Sequence, residues 1–153
     1  MGGHFKMQRV SIFIDGNNFY HGLKYIYGES KKLIDFNFEK FCNFLADNRK
    51  IVDIFYYNAQ LDKSKNLEKY KSQQRFFNKL KGICDFNLIL CKLLRRRIKG
   101  TNKDYYVLKE DDIHLAVDIV EGASDNKFDV AILISGMGIL FLLLNQFKKE
   151  INV

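Results

Sequence analysis

The chain contains no proline and no tryptophan. Without proline its turns must rely on Gly, Asn and Asp, each of which reaches turn backbone angles by a different route. Cysteine is scarce. Cys42, Cys84 and Cys91 are an odd number, form no Cys-x-x-Cys pair and each lie in an apolar stretch. That argues against a disulfide framework or a zinc site and predicts buried reduced thiols. No apolar run approaches the ~20 residues of a membrane span. The opening MGGHFKMQRV has no apolar signal-peptide core. A cytoplasmic protein without a membrane partner is therefore expected. The three histidines, His4, His21 and His114, make no Ser/His/Asp or Cys/His arrangement.

What remains is an ordinary globular composition, 47% hydrophobic and 28% charged over 153 residues. That length supports one domain with a real core. Residues 1–8 are a loose lead-in, and 9–153 form the domain. The net charge of +7 favours a polyanionic partner such as nucleic acid.

The stretch RVSIFIDGNNFY, Arg9 to Tyr20, organises the rest. Val10 to Ile14 is β-branched and apolar, the mark of a strand covered on both faces. Asp15 stands where it ends, Gly16 permits a sharp turn, and Asn17 or Asn18 can cap a helix running to Tyr27. A second helix is predicted over Phe36 to Leu45 with Asn37 as cap, and a strand over Ile51 to Tyr57. A long amphipathic helix follows over Ser64 to Lys81, ended by Gly82. Lys63, Lys65, Lys69 and Lys71, at its start, read as a solvated helix face. Phe86 to Leu94 is strand-like and runs into Arg95, Arg96 and Arg97. After a turn at Gly100 to Lys103, Tyr105 to Leu108 returns as a hairpin partner. Asp111 to Glu121 reads as a helix, Val130 to Ile134 as a buried strand, and Ile139 to Lys149 as a last helix. Strands alternating with helices predict a three-layer α/β/α fold with a central, mostly parallel sheet and a basic β-hairpin.

A carboxylate at the C-terminal end of a central parallel strand faces the crevice where open α/β sheets hold ligands. Asp15 meets that description, though an Asp before Gly also serves as a cap. Asp111 and Asp112 sit where a helix cap is expected. Asp112 and Asp118 lie about 240° apart around a helix. Asp118 is embedded in the run Leu115 to Val120, where an unpartnered carboxylate is costly. Ser135 and Gly136 end the last strand on the same side as Asp15. Gly136-Met137-Gly138 offers a lesser alternative, a phosphate-cradling turn of a nucleotide-binding domain. Arg95, Arg96, Arg97, Lys99 and Lys103, beside Tyr105 and Tyr106, suit single-stranded nucleic acid. A charged edge that discourages aggregation would look the same.

These segments together resemble an NYN domain of the LabA-like branch, within the PIN-like ribonuclease superfamily. The resemblance spans Arg9 to about Lys149. It rests on Phe13 to Tyr20, with its Asp-Gly-x-Asn turn, on Lys109 to Asp112 followed by Leu115 to Asp118, and on Phe128 to Gly136. It implies a metal-dependent endoribonuclease holding Mg²⁺ or Mn²⁺ through oxygen ligands. Asp15 and Asp112 would be the metal-site carboxylates and Asp118 a further catalytic candidate, while Asn18 and Ser135 would orient ligands or water.

The family pattern after Ser-Gly is Asp-x-Asp-Phe, and here Met137, Gly138, Ile139 and Leu140 occupy those positions. Met137 and Ile139 cannot ligate a hard cation. Glu110 and Asp129 are further carboxylates of the matching segments, but their spacing ties neither to the site. The alternative is a catalytically silent RNA-binding or protein-interaction module. The chain also ends where the family's last strand would form. The apolar segment Ile139 to Leu144 would then offer an edge for a homodimer.

Overall fold

A computed structural model of the protein describes residues 6–30, 32–108 and 111–136. The expected last helix, the Gly136-Met137-Gly138 turn beyond its first residue, Glu110 and the Ile139 to Leu144 edge lie outside these residues. Among the described residues, six strands and four α-helices follow in the order β1 (Arg9–Asp15), α1 (Gly16–Tyr27), α2 (Phe38–Ala46), β2 (Lys50–Ala59), α3 (Leu67–Lys81), β3 (Phe86–Cys91), β4 (Leu93–Arg97), β5 (Asp104–Leu108), α4 (Asp111–Ser124) and β6 (Val130–Ile134). β3, β2, β1 and β6 lie side by side in that order, all parallel. β4 and β5 pair antiparallel as a separate ribbon. The chain thus builds outward from β1 to β3 and returns past β1 to lay down β6. The reversal between β1 and β6 opens a crevice at the strand ends.

Strand alternation sorts the two faces. Val10, Ile12 and Ile14 of β1 join the large cluster under α1, α2 and α3, with Phe19, Leu23, Phe41, Phe77 and Leu80. Phe13 turns the other way and packs with Tyr57, Cys91 and Leu115 under α4. In a chain without tryptophan, phenylalanine carries the larger cluster. Phe19 and Phe36 lie 5.0–5.6 Å, centroid to centroid, from Phe38 and Phe41 and from each other. Each buried ring contributes roughly 1.5–3 kcal/mol.

Local chemistry moves several expected boundaries. α1 is capped by Asp15, whose side chain accepts from the Asn18 N–H, and not by Asn17 or Asn18. α2 begins at Phe38 behind its Asn37 cap, as Asn37 predicts. Phe36 precedes that cap and fills the core. Ser64 is drawn out of α3 by Asp62, which accepts from both its N–H and its hydroxyl, so Asn66 is the cap. The apolar run Phe86 to Leu94 is two strands, broken at Lys92. Cys42 and Cys91 are buried, but Cys84 is exposed, against expectation.

Asp129 stands at the N-terminal end of β6, opposite the strand ends that carry Asp15. There Arg9 clamps it. The Arg9 backbone N–H donates to Asp129 Oδ2 at 2.7 Å, and the guanidinium donates Nε to Oδ2 at 3.1 Å and Nη2 to Oδ1 at 2.9 Å. Asp129 therefore cannot stand in for a missing acid near Asp15. The Arg9 side-chain hydrogen bonds, then its N–H, hold the Asp129 carboxyl at about 2. That lies below the unfolded value of about 3.9, so the clamp contributes fully above that value and fades as pH falls through the folded one. Asp129→Asn should therefore be less stable than wild type near pH 7. Urea denaturation should show that gap closing as pH falls from about 5 to about 2.

Candidate functional site

Asp15 is only 4% exposed. Its Oδ1 accepts the Asn18 backbone N–H at 3.0 Å and its Oδ2 accepts Asn18 Nδ2 at 2.7 Å. One residue thus caps α1 and aims its carboxylate across the strand ends. Gly16 makes this turn possible. A Cβ there would meet Tyr56 Cε1 at 2.4 Å and the Tyr57 carbonyl oxygen at 2.6 Å. The Tyr56 hydroxyl donates to the Gly16 carbonyl at 3.3 Å. Burial first, and then the Asp15 charge, pushes the Tyr56 phenol far above its ordinary range, so it stays a donor.

The second part of the site is the first turn of α4. Asp111 is 8% exposed, and its Oδ1 accepts the Asp112 N–H at 3.0 Å. Carboxylate oxygens of Asp15, Asp111 and Asp112 all lie within 4.8 Å of one another. Burial chiefly raises the Asp111 carboxyl above the usual range, opposed by the Asp112 N–H and assisted by the charges of Asp15 and Asp112. The oxygen-only donor set suits a hard divalent cation, whose charge would relieve that crowding.

Asp15 and Asp112 are the two carboxylates that the family resemblance implied for a metal, and the structure brings them together. It adds Asp111, which the sequence offered only as a cap. A signal was there to be read. Asp111 and Leu115 share a helix face four residues apart, and Leu115 is an apolar residue that has to turn inward. Leu115 is indeed 6% exposed.

Asp118 has another place. Its Oδ2 accepts the Tyr57 hydroxyl at 2.8 Å, and the three-carboxylate group does not include it. This bond ties the middle of α4 to β2, and it supplies the partner that a carboxylate in an apolar run requires. Ser135 follows β6 directly, at the sheet end that carries Asp15, and Gly136 turns the chain there with φ +87°. Met137 and Ile139 lie outside the described residues.

In the ribbon, Arg96 stands opposite Tyr105 and Arg97 opposite Asp104. Arg97 Nε pairs with Asp104 Oδ1 at 3.5 Å. Alternation therefore places Arg96 and the 44%-exposed Tyr105 on one face and the Arg97–Asp104 pair on the other. Arg95 lies opposite Tyr106. Lys99 and Lys103 flank the turn and are exposed, as are Lys63, Lys65, Lys69 and Lys71.

A family model described as NYN domain matches residues 9–152. The chain belongs to the NYN domain family. A crystal structure of a protein of unknown function from Vibrio parahaemolyticus is similar to it, with a TM-score of 0.58 and 22% identity over 99% of this chain and 80% of that one. At that identity the likeness speaks for the fold alone. No curated protein matches the chain. NYN domains are a PIN-like nuclease family, generally metal-dependent, and in this NYN domain an acidic cluster occupies the crevice of the parallel sheet.

The Tyr57–Asp118 bond has a direct test in folding. Tyr57→Phe removes the hydroxyl and keeps the ring. It should destabilise the domain by about 1 kcal/mol in urea denaturation, the usual worth of one such hydrogen bond.

Proposed function

We propose that this NYN domain is a Mg²⁺- or Mn²⁺-dependent endoribonuclease of the LabA-like branch, acting on single-stranded RNA in the cytoplasm. The observation that carries the reading is the convergence of Asp15, Asp111 and Asp112 at the strand ends. These three would hold the cation, which when bound neutralises charge on a phosphate and acidifies a water. The chain's own residues set the terms. Asn18 fixes both oxygens of Asp15 before any ligand arrives. Asp111, its carboxyl raised by burial, binds either a proton or the cation, so cation affinity rises with pH through its titration. Arg96 and Tyr105 offer a charge for phosphate and a ring for a base.

Incubating the pure protein with single-stranded RNA and Mn²⁺ tests the reading. Cleavage should be lost in Asp15→Asn, and equal cleavage by wild type and variant would sink it. Asn18→Ala should weaken Mn²⁺ binding about 10–100-fold, the effect of losing a partner that orients a ligand. The electron paramagnetic resonance signal of free Mn²⁺ reads this without any turnover.

Met137 and Ile139 favour a second reading, a catalytically silent RNA-binding module. It predicts no Asp15-dependent cleavage but salt-sensitive RNA binding. Replacing Arg96 and Tyr105 together with Ala should weaken that binding and flatten its dependence on salt. Absence of RNA binding at low salt would leave protein interaction, including a homodimer, as the remaining form of this reading.

A further inference from the structure

The sheet face under α4 holds a second polar group, toward the strand starts and away from the Asp15 crevice. Ser11 lies on the same face of β1 as Phe13 and Asp15. It is 0% exposed, and its Oγ has no hydrogen-bond partner. A buried hydroxyl without a partner costs about 1–3 kcal/mol. Ser11 lines a cleft of about 100 Å³ with Asp53 and Phe55 of β2, Asp118 and Glu121 of α4, and Phe128. Gly122 lets the Phe128 ring form a wall against α4, since a Cβ there would stand 2.6 Å from Phe128 Cε1.

The chemistry of this lining is selective. In a chain of net charge +7, three carboxylates face one ammonium, that of Lys127. Lys127 Nζ pairs with Asp125 Oδ2 at 3.3 Å, and Asp125 is not a lining residue. An anion, RNA phosphate included, is repelled. A metal ion is poorly served, because among the described residues only Asp15, Asp111 and Asp112 bring three carboxylates close enough to share one. An organic cation is well served. Its three N–H donors match the Ser11 hydroxyl and two carboxylates, and Phe55 and Phe128 line the cleft beside them for its alkyl part. Asp53 is steadied by Asn87 Nδ2 at 3.2 Å and Asp118 by Tyr57, and each carboxylate keeps lone pairs to offer. The volume corresponds to about three waters, the size of a short aminoalkyl chain.

We infer that this cleft binds the primary ammonium group of a small alkyl amine, with Ser11 Oγ, Asp53 and Glu121 as its acceptors. The site is separate from the Asp15 crevice and does not depend on nuclease activity.

Titration of the full chain with 1,4-diaminobutane at constant ionic strength, followed by amide NMR shifts, tests this. Saturable shifts are expected at Ser11, Gly122 and Phe128. Glu121→Gln, an exposed change that leaves the fold alone, and Ser11→Ala should each weaken binding about tenfold, the loss of one hydrogen bond to a charged group. The uncharged 1,4-butanediol should not bind. The inference is overturned by no saturation, by equal binding of the diol, by shifts centred on Asp15 and Asn18, or by unchanged affinity in Glu121→Gln. Displacement of the amine by Mg²⁺ with shifts at Ser11 and Gly122 would also overturn it, in favour of a metal site.

Discussion

Asp15 is a carboxylate held almost entirely out of bulk water, and such a group must be hydrogen-bonded or neutralised. Much of the architecture follows from meeting that demand. The first turn of α1 supplies two donors through Asn18. For α1 to start there, the chain must turn against β2 at a distance that admits no side chain, and Gly16 is the residue that fits between Tyr56 and the Tyr57 carbonyl. Once the turn is made, Phe19 falls into the centre of the larger aromatic cluster. The same few residues therefore set the helix start, the spacing of β1 from β2 and the direction of the carboxylate.

α4 meets the site with an unusual division of its surface. Asp111, Leu115, Asp118 and Gly122 recur at helical spacing and form its inner stripe. Ile113, Val117 and Val120 are 65%, 45% and 67% exposed. The helix turns Asp111 and Asp118 toward the sheet beside Leu115 and leaves these three apolar side chains outside. Inward carboxylates are tolerable because Tyr57 donates to one and a backbone N–H to another, and because the upper pair lies at the crevice. The lower part of the stripe, Asp118 and Gly122, borders the Ser11 cleft together with the exposed Glu121 beside it. One helix thereby borders two acidic sites at opposite ends of the sheet.

This division marks where the sequence is legible and where it is not. β1, its turn, the Asn37 cap and the spacing of α3 were readable because each depends on neighbours within a few residues. The helix with its acidic first turn was readable too, but which of its acids turn inward was not. The apolar run around Asp118 points to burial of the wrong side chains, since the outward face is decided by what the sheet leaves uncovered. The break at Lys92 carries no Gly, Pro or Asn to announce it. Cys84 sits in an apolar stretch yet stays in water, because Ile83 rather than its neighbour packs against the core. Asp129 looked available until its pairing with Arg9, 120 residues away, placed it at the far end of the sheet.

That same separation governs the order of assembly. β1, β2 and β3 with their helices are made first and share one cluster, so they can associate while the chain is still growing. The strand that completes the other side of β1 arrives 120 residues after it. Closing so long a loop is slow, and contacts of high sequence separation form late in folding. The carboxylates of α4 lie far along the chain from Asp15, and α4 packs directly on β1 and β2. During synthesis the protein therefore passes through a stage in which Asp15 and its turn are in place but Asp111 and Asp112 are not, and the acidic cluster comes into being only once α4 has joined the sheet.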